Sequence, residues 1–133
     1  MNISITIISS LISGILSVLI STYFFQRYEK RKQRLEVLRD LVGYRFALTH
    51  NTTSEAKIKF FSALNQVSVL FHNEPEVIKA LHNMHRELQL PDRLFDNLVT
   101  LHKSICKVLG IKIAGLNDDF FLTPFNATYG YEK

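Results

Sequence analysis

No charged residue occurs between Ile3 and Phe25. Wound as an α-helix at about 1.5 Å per residue, this run covers roughly 34 Å, enough to cross a hydrocarbon core of about 30 Å with some tilt. A cleaved secretory signal needs positive charge ahead of the apolar stretch and a small-residue cleavage site behind it. Here Met1-Asn2 stands before the stretch and QRYEKRKQR follows it. The run therefore reads as a single membrane-spanning helix. Arg27, Lys30, Arg31, Lys32 and Arg34, against the one acid Glu29, form a basic flank. By the positive-inside rule that flank lies in the cytoplasm. The expected topology is an N-terminus outside and a C-terminal domain in the cytoplasm, in a bacterial inner membrane.

The flank also accounts for the charge balance. The chain carries sixteen Lys and Arg against twelve Asp and Glu, and setting aside the flank's five bases and one acid leaves eleven of each sign. The excess charge is thus a membrane signature, and a duplex nucleic acid is not an expected partner, because such partners call for a basic face on the folded domain itself. Lys103, Lys107 and Lys112 make a local cluster that suits either an anion site or an ordinary solvated helix face.

Within the apolar run, SSLISGILSVLIST is laced with small and hydroxylated residues. At about 100° per residue, Thr6, Ser10, Ser13, Gly14, Ser17 and Ser21 fall in one arc of roughly 100°, with leucine, isoleucine and valine around the rest. Small side chains let helix backbones approach, and hydroxyls can bond across the contact. Self-association of the span through Ser10, Ser13, Gly14, Ser17 and Ser21 is the expectation. The competing account, that each hydroxyl bonds back to its own helix carbonyl four residues earlier, explains tolerance but not one-sidedness. A more specific form of association places several copies around a hydroxyl-lined path.

After the span the chain reads as one all-α domain of modest size, with no repeat, low-complexity tract or long linker. Three parts are expected: an anchor at 1–26, a juxtamembrane and connecting helix at 27–52, and a cytoplasmic helical domain at 53–133. The first helix has no Pro or Gly stop and is expected to continue to about Leu48, with Leu35, Leu38, Leu41, Val42 and Phe46 at helical spacing. Thr52 and Glu55 read as a capping box that opens a second helix, with Phe60, Phe61, Leu64, Val67 and Phe71 inside. Asn73 reads as the cap of a third helix with Pro75 in its first turn and Val77, Ile78, Leu81, Met84 and Leu88 inside. Pro91 and Asp92 open a fourth that buries Leu94, Leu98, Leu101, Ile105 and Val108, with Gly110 at its C′ position. The last stretch, IKIAGLNDDFFLTPFNATYGYEK, is rich in Phe and Tyr and is expected to pack as an extended aromatic tail, on its own helices or on a neighbouring subunit.

Residues that carry chemistry are scarce. His82 and His85 stand three apart on one helix face without a cysteine or third histidine close in sequence. Cys106 is the single cysteine, excludes an intrachain disulfide, and reads as a small buried residue. There is no phosphate loop, nucleophile elbow, paired carboxylate motif or His-x-x-x-His pair. An enzyme is not expected, and neither is a cofactor or a metal. Asn51-Thr52-Thr53 and Asn126-Ala127-Thr128 match the glycosylation pattern, which has no use in the cytoplasm.

LEVLRDLVGYR, then SALNQVSVLFHNEPEVIKALHNMHREL, then KVLGIK resemble a family of small bacterial single-pass membrane proteins of uncharacterised function. The matching positions are Leu38, Arg39, Leu41, Arg45, the Ala-Leu-Asn at 63–65, Phe71 and the Leu-Gly at 109–110. Leu81 stands where a tryptophan is common. The layout is also similar to the membrane-bound effectors of type III CRISPR immunity, which implies a tetrameric cytoplasmic domain that binds cyclic tetra-adenylate and perturbs the membrane. On that likeness the expected function is a membrane-anchored effector in antiviral defence, a homo-oligomer such as a tetramer, with a cyclic oligonucleotide as its ligand. Its ligand site would draw on Tyr44, Arg45, Asn65, Lys103, Lys107, Tyr129 and Tyr131, which offer phosphate donors, base-edge partners and stacking rings. The alternative is a passive anchor or scaffold that docks a cytoplasmic protein.

Overall fold

The computed structural model describes residues 2–48 and 52–122. Among them all regular structure is helical: α1 (Ile3–Gly43), a 3₁₀ turn (Arg45–Leu48), α2 (Ser54–Leu70), α3 (Pro75–Arg86), α4 (Pro91–Leu109) and the short α5 (Asp119–Leu122). The all-α expectation holds. The chain divides into two units, residues 1–33 and 34–133. Phe125, Tyr129 and Tyr131, assigned to an aromatic tail, lie outside the described residues.

The first unit is the apolar helix. It is long and apolar enough to cross a membrane, and none of its apolar window is buried in protein. Between Ile3 and Phe25 it carries no charge, and Leu11, Ile12, Leu16 and Leu19 are all more than half exposed. Such a run has no charged face to turn to water. Ser17 Oγ donates to the Ser13 carbonyl at 2.8 Å, so this hydroxyl is satisfied within its own helix.

The second unit begins with the last ten residues of α1. Val37, Leu38 and Leu41 are buried there, while Leu35 points away and is 37% exposed. The expected continuation to Leu48 is not seen: α1 stops at Gly43 and the chain tightens into the 3₁₀ turn, which sends Ala47 into the core. α2 starts one residue later than the capping box implied. Thr53, in extended conformation, accepts the Ala56 N–H at 3.2 Å, whereas the Thr52 hydroxyl donates to the Thr53 carbonyl. Glu55 pairs with Lys59 at 3.0 Å.

The buried face of α2 is Ala56, Phe60, Ala63 and Val67, continued by the buried Phe71 just past its end. Phe61, expected inside, is 41% exposed, and so is Leu88 at 40%. Leu64, Ile78, Leu81, Leu94 and Val108 are half-buried at the core's margin. The two small alanines on α2, with Ala80 on α3, let the helices close over larger partners such as Phe60, Met84, Leu101 and Ile105, all of which are nearly or fully excluded from solvent.

Both α3 and α4 begin on a proline at the first helical position, where the missing N–H costs nothing. Glu74, not Asn73, precedes α3 as its cap residue, and its side chain makes no capping bond. Its carboxylate instead meets Arg34 at 3.3 Å. α4 ends as expected. Gly110 has φ 70°, its N–H reaches Lys107, and the Ile111 N–H reaches the Cys106 carbonyl at 2.9 Å, the paired bonds of a Schellman ending. Cys106 is buried, as expected, and burial pushes its thiol pKa up.

Two buried polar side chains escaped the sequence reading. Arg34, grouped with the membrane flank, is only 8% exposed. Its Nε donates to the Leu70 carbonyl at 2.9 Å and its guanidinium lies 4.7 Å from the Phe71 ring centroid. A cation thus caps the C-terminal end of α2, where unsatisfied carbonyls concentrate negative potential. The other is His102, fully buried on α4.

Candidate functional site

His102 follows Leu101 on the face of α4 that also buries Ile105 and Leu109. Its ring sits 5.7 Å from that of Phe121, and neither ring nitrogen has a hydrogen-bond partner among the described residues. Burial, and next the positive charge of Arg45, lower its pKa to about 4. The imidazole is therefore neutral at physiological pH.

The residues around it converge on one turn. Arg45, placed by the break after α1, donates through Nη1 to the Phe120 carbonyl. Lys103 pairs with Asp118, and Phe121 is buried against His102. Three side chains from two elements therefore hold the segment Asp118–Phe121. Two of the cations expected to meet a ligand, Arg45 and Lys103, are brought together at this segment.

The other expected ligand residues sit elsewhere in the unit. Tyr44 turns toward α2, where Lys59 Nζ donates to its hydroxyl at 3.1 Å and lies 5.1 Å from its ring centroid. That bond, and then the one to Glu55, raise the Lys59 pKa. Lys107 reaches α3 and contacts both Glu76 carboxylate oxygens, at 3.0 and 3.1 Å. Asn65 lies in a trough between α2 and α3. Tyr129 and Tyr131 are outside the described residues.

The trough has a volume of about 400 Å³. From α2 it is lined by Phe61, Leu64, Asn65 and Ser68, and from α3 and the residues after it by Ile78, Leu81, His82, Met84, His85 and Leu88. Its floor is apolar, and its lining holds two histidines and no acid. The cause lies in α2, which is apolar on two faces. Ala56, Phe60, Ala63 and Val67 are buried, while Ile58, Phe61 and Val69 remain exposed on other sides. A helix apolar around most of its circumference has more surface to cover than one neighbouring helix supplies. The sequence reading missed this site because it assigned Phe61 and Leu88 to the core. The signal was present, since the core of α2 already had a full stripe without Phe61.

The profile of a family of unknown function, DUF6680, matches residues 1–113, and the chain belongs to that family. No curated protein and no solved structure matches it. The matched stretch contains the apolar helix and the whole trough, and it ends before the Asp118–Phe121 turn.

Proposed function

We propose that this member of the DUF6680 family is a single-pass protein of the inner membrane, its N-terminus outside, whose helical unit docks a cytoplasmic protein on the trough between α2 and α3. The reading is carried by the trough itself: an open apolar surface of about 400 Å³ with Phe61 and Leu88 some 40% exposed at its edges. Surfaces of this kind, apolar at the centre and polar at the rim, are those that soluble proteins cover with partners. The anchor would confine the partner to the membrane surface. Support for the topology comes from the basic residues Arg27, Lys30, Arg31 and Lys32 that follow the apolar run.

A photo-crosslinking amino acid placed at Phe61 or Leu88 in the full chain, in cells, tests the reading. The expected result is one common adduct from both positions, lost on Leu81→Glu and not formed from exposed Lys112. Adducts of equal yield from Lys112, or none from the trough, would overturn it.

A second reading, an effector gated by a cyclic oligoadenylate, draws on a separate observation. Arg45 and Lys103 close on the same short segment, so a ligand with several phosphodiester groups that captured both would free Asp118–Phe121. Against it, each of these cations already has a partner within the chain, which a phosphate must displace. Calorimetry of the full chain in lipid nanodiscs with cyclic tri-, tetra- and hexa-adenylate decides it: heat with one of them, abolished by Arg45→Ala, is the expected signature.

A further inference from the structure

Four carboxylates lie between Thr52 and Leu90, and each is engaged away from the trough. Glu55 meets Lys59, and Glu74 meets Arg34. Glu76 meets Lys107 of α4. Glu87 holds Arg93 and Asn97 and lies 3.9 Å from Arg86. Lys57 and Lys79 are exposed and have no carboxylate within ion-pair distance among the described residues. Helical spacing puts both on the trough's margin. Lys57 precedes Phe61 by one turn on α2, and Lys79 precedes His82 by three residues on α3. Between them the lining carries two histidines and no acid. The trough therefore has an apolar floor, and within one turn of its lining residues each of its two helices carries a lysine with no carboxylate partner among the described residues.

We infer that the occupant is an acidic amphipathic helix of a partner protein, seated with its apolar stripe on Phe61, Leu64, Leu81 and Leu88 and its carboxylates toward Lys57 and Lys79. This rests on the docking reading above and names its partner's chemistry. The dimensions agree. Phe61 to Ser68 spans about 10 Å of α2 and Ile78 to Arg86 about 12 Å of α3, so about two turns of a partner helix fill the length. One lysine beside the lining on each helix matches a partner helix whose apolar stripe is bordered by acids. The charges would set the choice of partner and its approach, and the apolar contacts the residence time.

The test uses three labelled amphipathic helical peptides of about 16 residues with identical Leu and Phe anchors and flanking positions that are all Glu, all Gln or all Lys. Each is titrated by fluorescence anisotropy against the full chain in nanodiscs of zwitterionic lipid, with empty nanodiscs as the blank. The Glu peptide should bind about tenfold more tightly than the Lys peptide at low salt, an advantage that shrinks at about 0.5 M salt. Lys57→Glu with Lys79→Glu should reverse the order. Phe61→Ser should weaken all three peptides alike; because this side chain and both lysines are exposed, the fold tolerates the changes, which circular dichroism checks. Equal binding of the three peptides overturns the acidic partner and leaves the docking site standing. Absence of binding by any of them overturns the docking reading itself. Displacement of the Glu peptide by anionic lipid added to the nanodisc, or self-association of the full chain abolished by Phe61→Glu, would assign the trough to lipid or to a second copy and overturn the inference.

Discussion

α1 carries two kinds of apolar surface in one helix. From Ile3 to Phe25 large apolar side chains cover all of the circumference outside the serine stripe, and Leu11, Ile12, Leu16 and Leu19 are 52–65% exposed. From Arg34 onward the buried apolar positions narrow to Val37, Leu38 and Leu41, at 3%, 7% and 0% exposure, with Glu36 just before them and Arg39 and Asp40 between them. The residue types are alike and the arrangement differs. A helix that is apolar all round asks for a uniform apolar solvent, whereas a one-sided stripe asks for a protein core. The periodicity alone distinguishes the two environments.

The largest expected effect separates these two demands. Ile12→Arg with Leu16→Arg puts two charges near the centre of the span, and at about 2.5–3.5 kcal/mol each on the insertion scale the pair should abolish membrane integration. Alkaline extraction of membranes should then release the protein. Leu41→Ala should do the opposite, costing about 2–5 kcal/mol of folding stability through a core cavity while the protein stays in the membrane pellet. If both variants leave the membrane, or both stay, the comparison fails.

His102 gives an effect of roughly 3 kcal/mol confined to the second unit, from a pKa of about 4 in place of 6.5. The sign follows from proton uptake. Below pH 6.5 the unfolded chain binds a proton that the buried imidazole refuses, so this contribution to stability is present above pH 6.5 and is lost as pH falls toward 4. Denaturant titrations across that range should show the loss, and His102→Phe should flatten the profile. An unchanged profile in the variant would place the acid sensitivity elsewhere.

What could be read from the sequence follows the same division. Elements whose signals are local were legible: the apolar run, the prolines that open α3 and α4, and the glycine that ends α4. Boundaries shifted where a distant group competed. Glu74, at the start of α3, sends its carboxylate 40 residues back in the sequence to Arg34, and no local rule contains that partner. Arg34 itself stands four residues before Leu38 and seven before Leu41, on their buried face, so its role was available in the spacing and hidden by its neighbours in the basic flank. The trough was hidden for a different reason. Phe61 and Leu88 are apolar, and whether such a residue fills a core or lines its edge depends on how many helices surround it, which is a property of the packing.

Arg34 is the next test in size. Arg34→Ala removes the bonds to the Leu70 carbonyl and to Glu74, and should cost about 2–3 kcal/mol. Arg34→Lys should recover only part of this, because a lysine cannot reproduce the planar stack on Phe71 together with the directed Nε bond. Substitution of Lys32 in the flank should leave the folded unit's denaturation midpoint unchanged. A fully stable Arg34→Lys variant would mean that charge alone suffices at this position.

The smallest effect concerns the serine stripe. Ser17 already bonds to the Ser13 carbonyl, so its hydroxyl gives up an internal partner if it is to bond across a helix contact, and the net gain per serine is about 0.6 kcal/mol. Ser10→Leu with Ser17→Leu should therefore weaken self-association of the span in a membrane reporter assay by about 1 kcal/mol, a several-fold drop in dimer signal. Leu11→Ala with Val18→Ala, on the other side of the helix, should change it little. Ser10→Ala with Ser17→Ala removes the hydroxyls and keeps the small volume, and should retain the part of the signal that close backbone approach supplies. Full loss with alanine would show that the hydroxyls, and not the small volume, carry the contact. Equal losses from both faces of the helix would leave the stripe as a tolerated pattern, with each hydroxyl satisfied as Ser17 is.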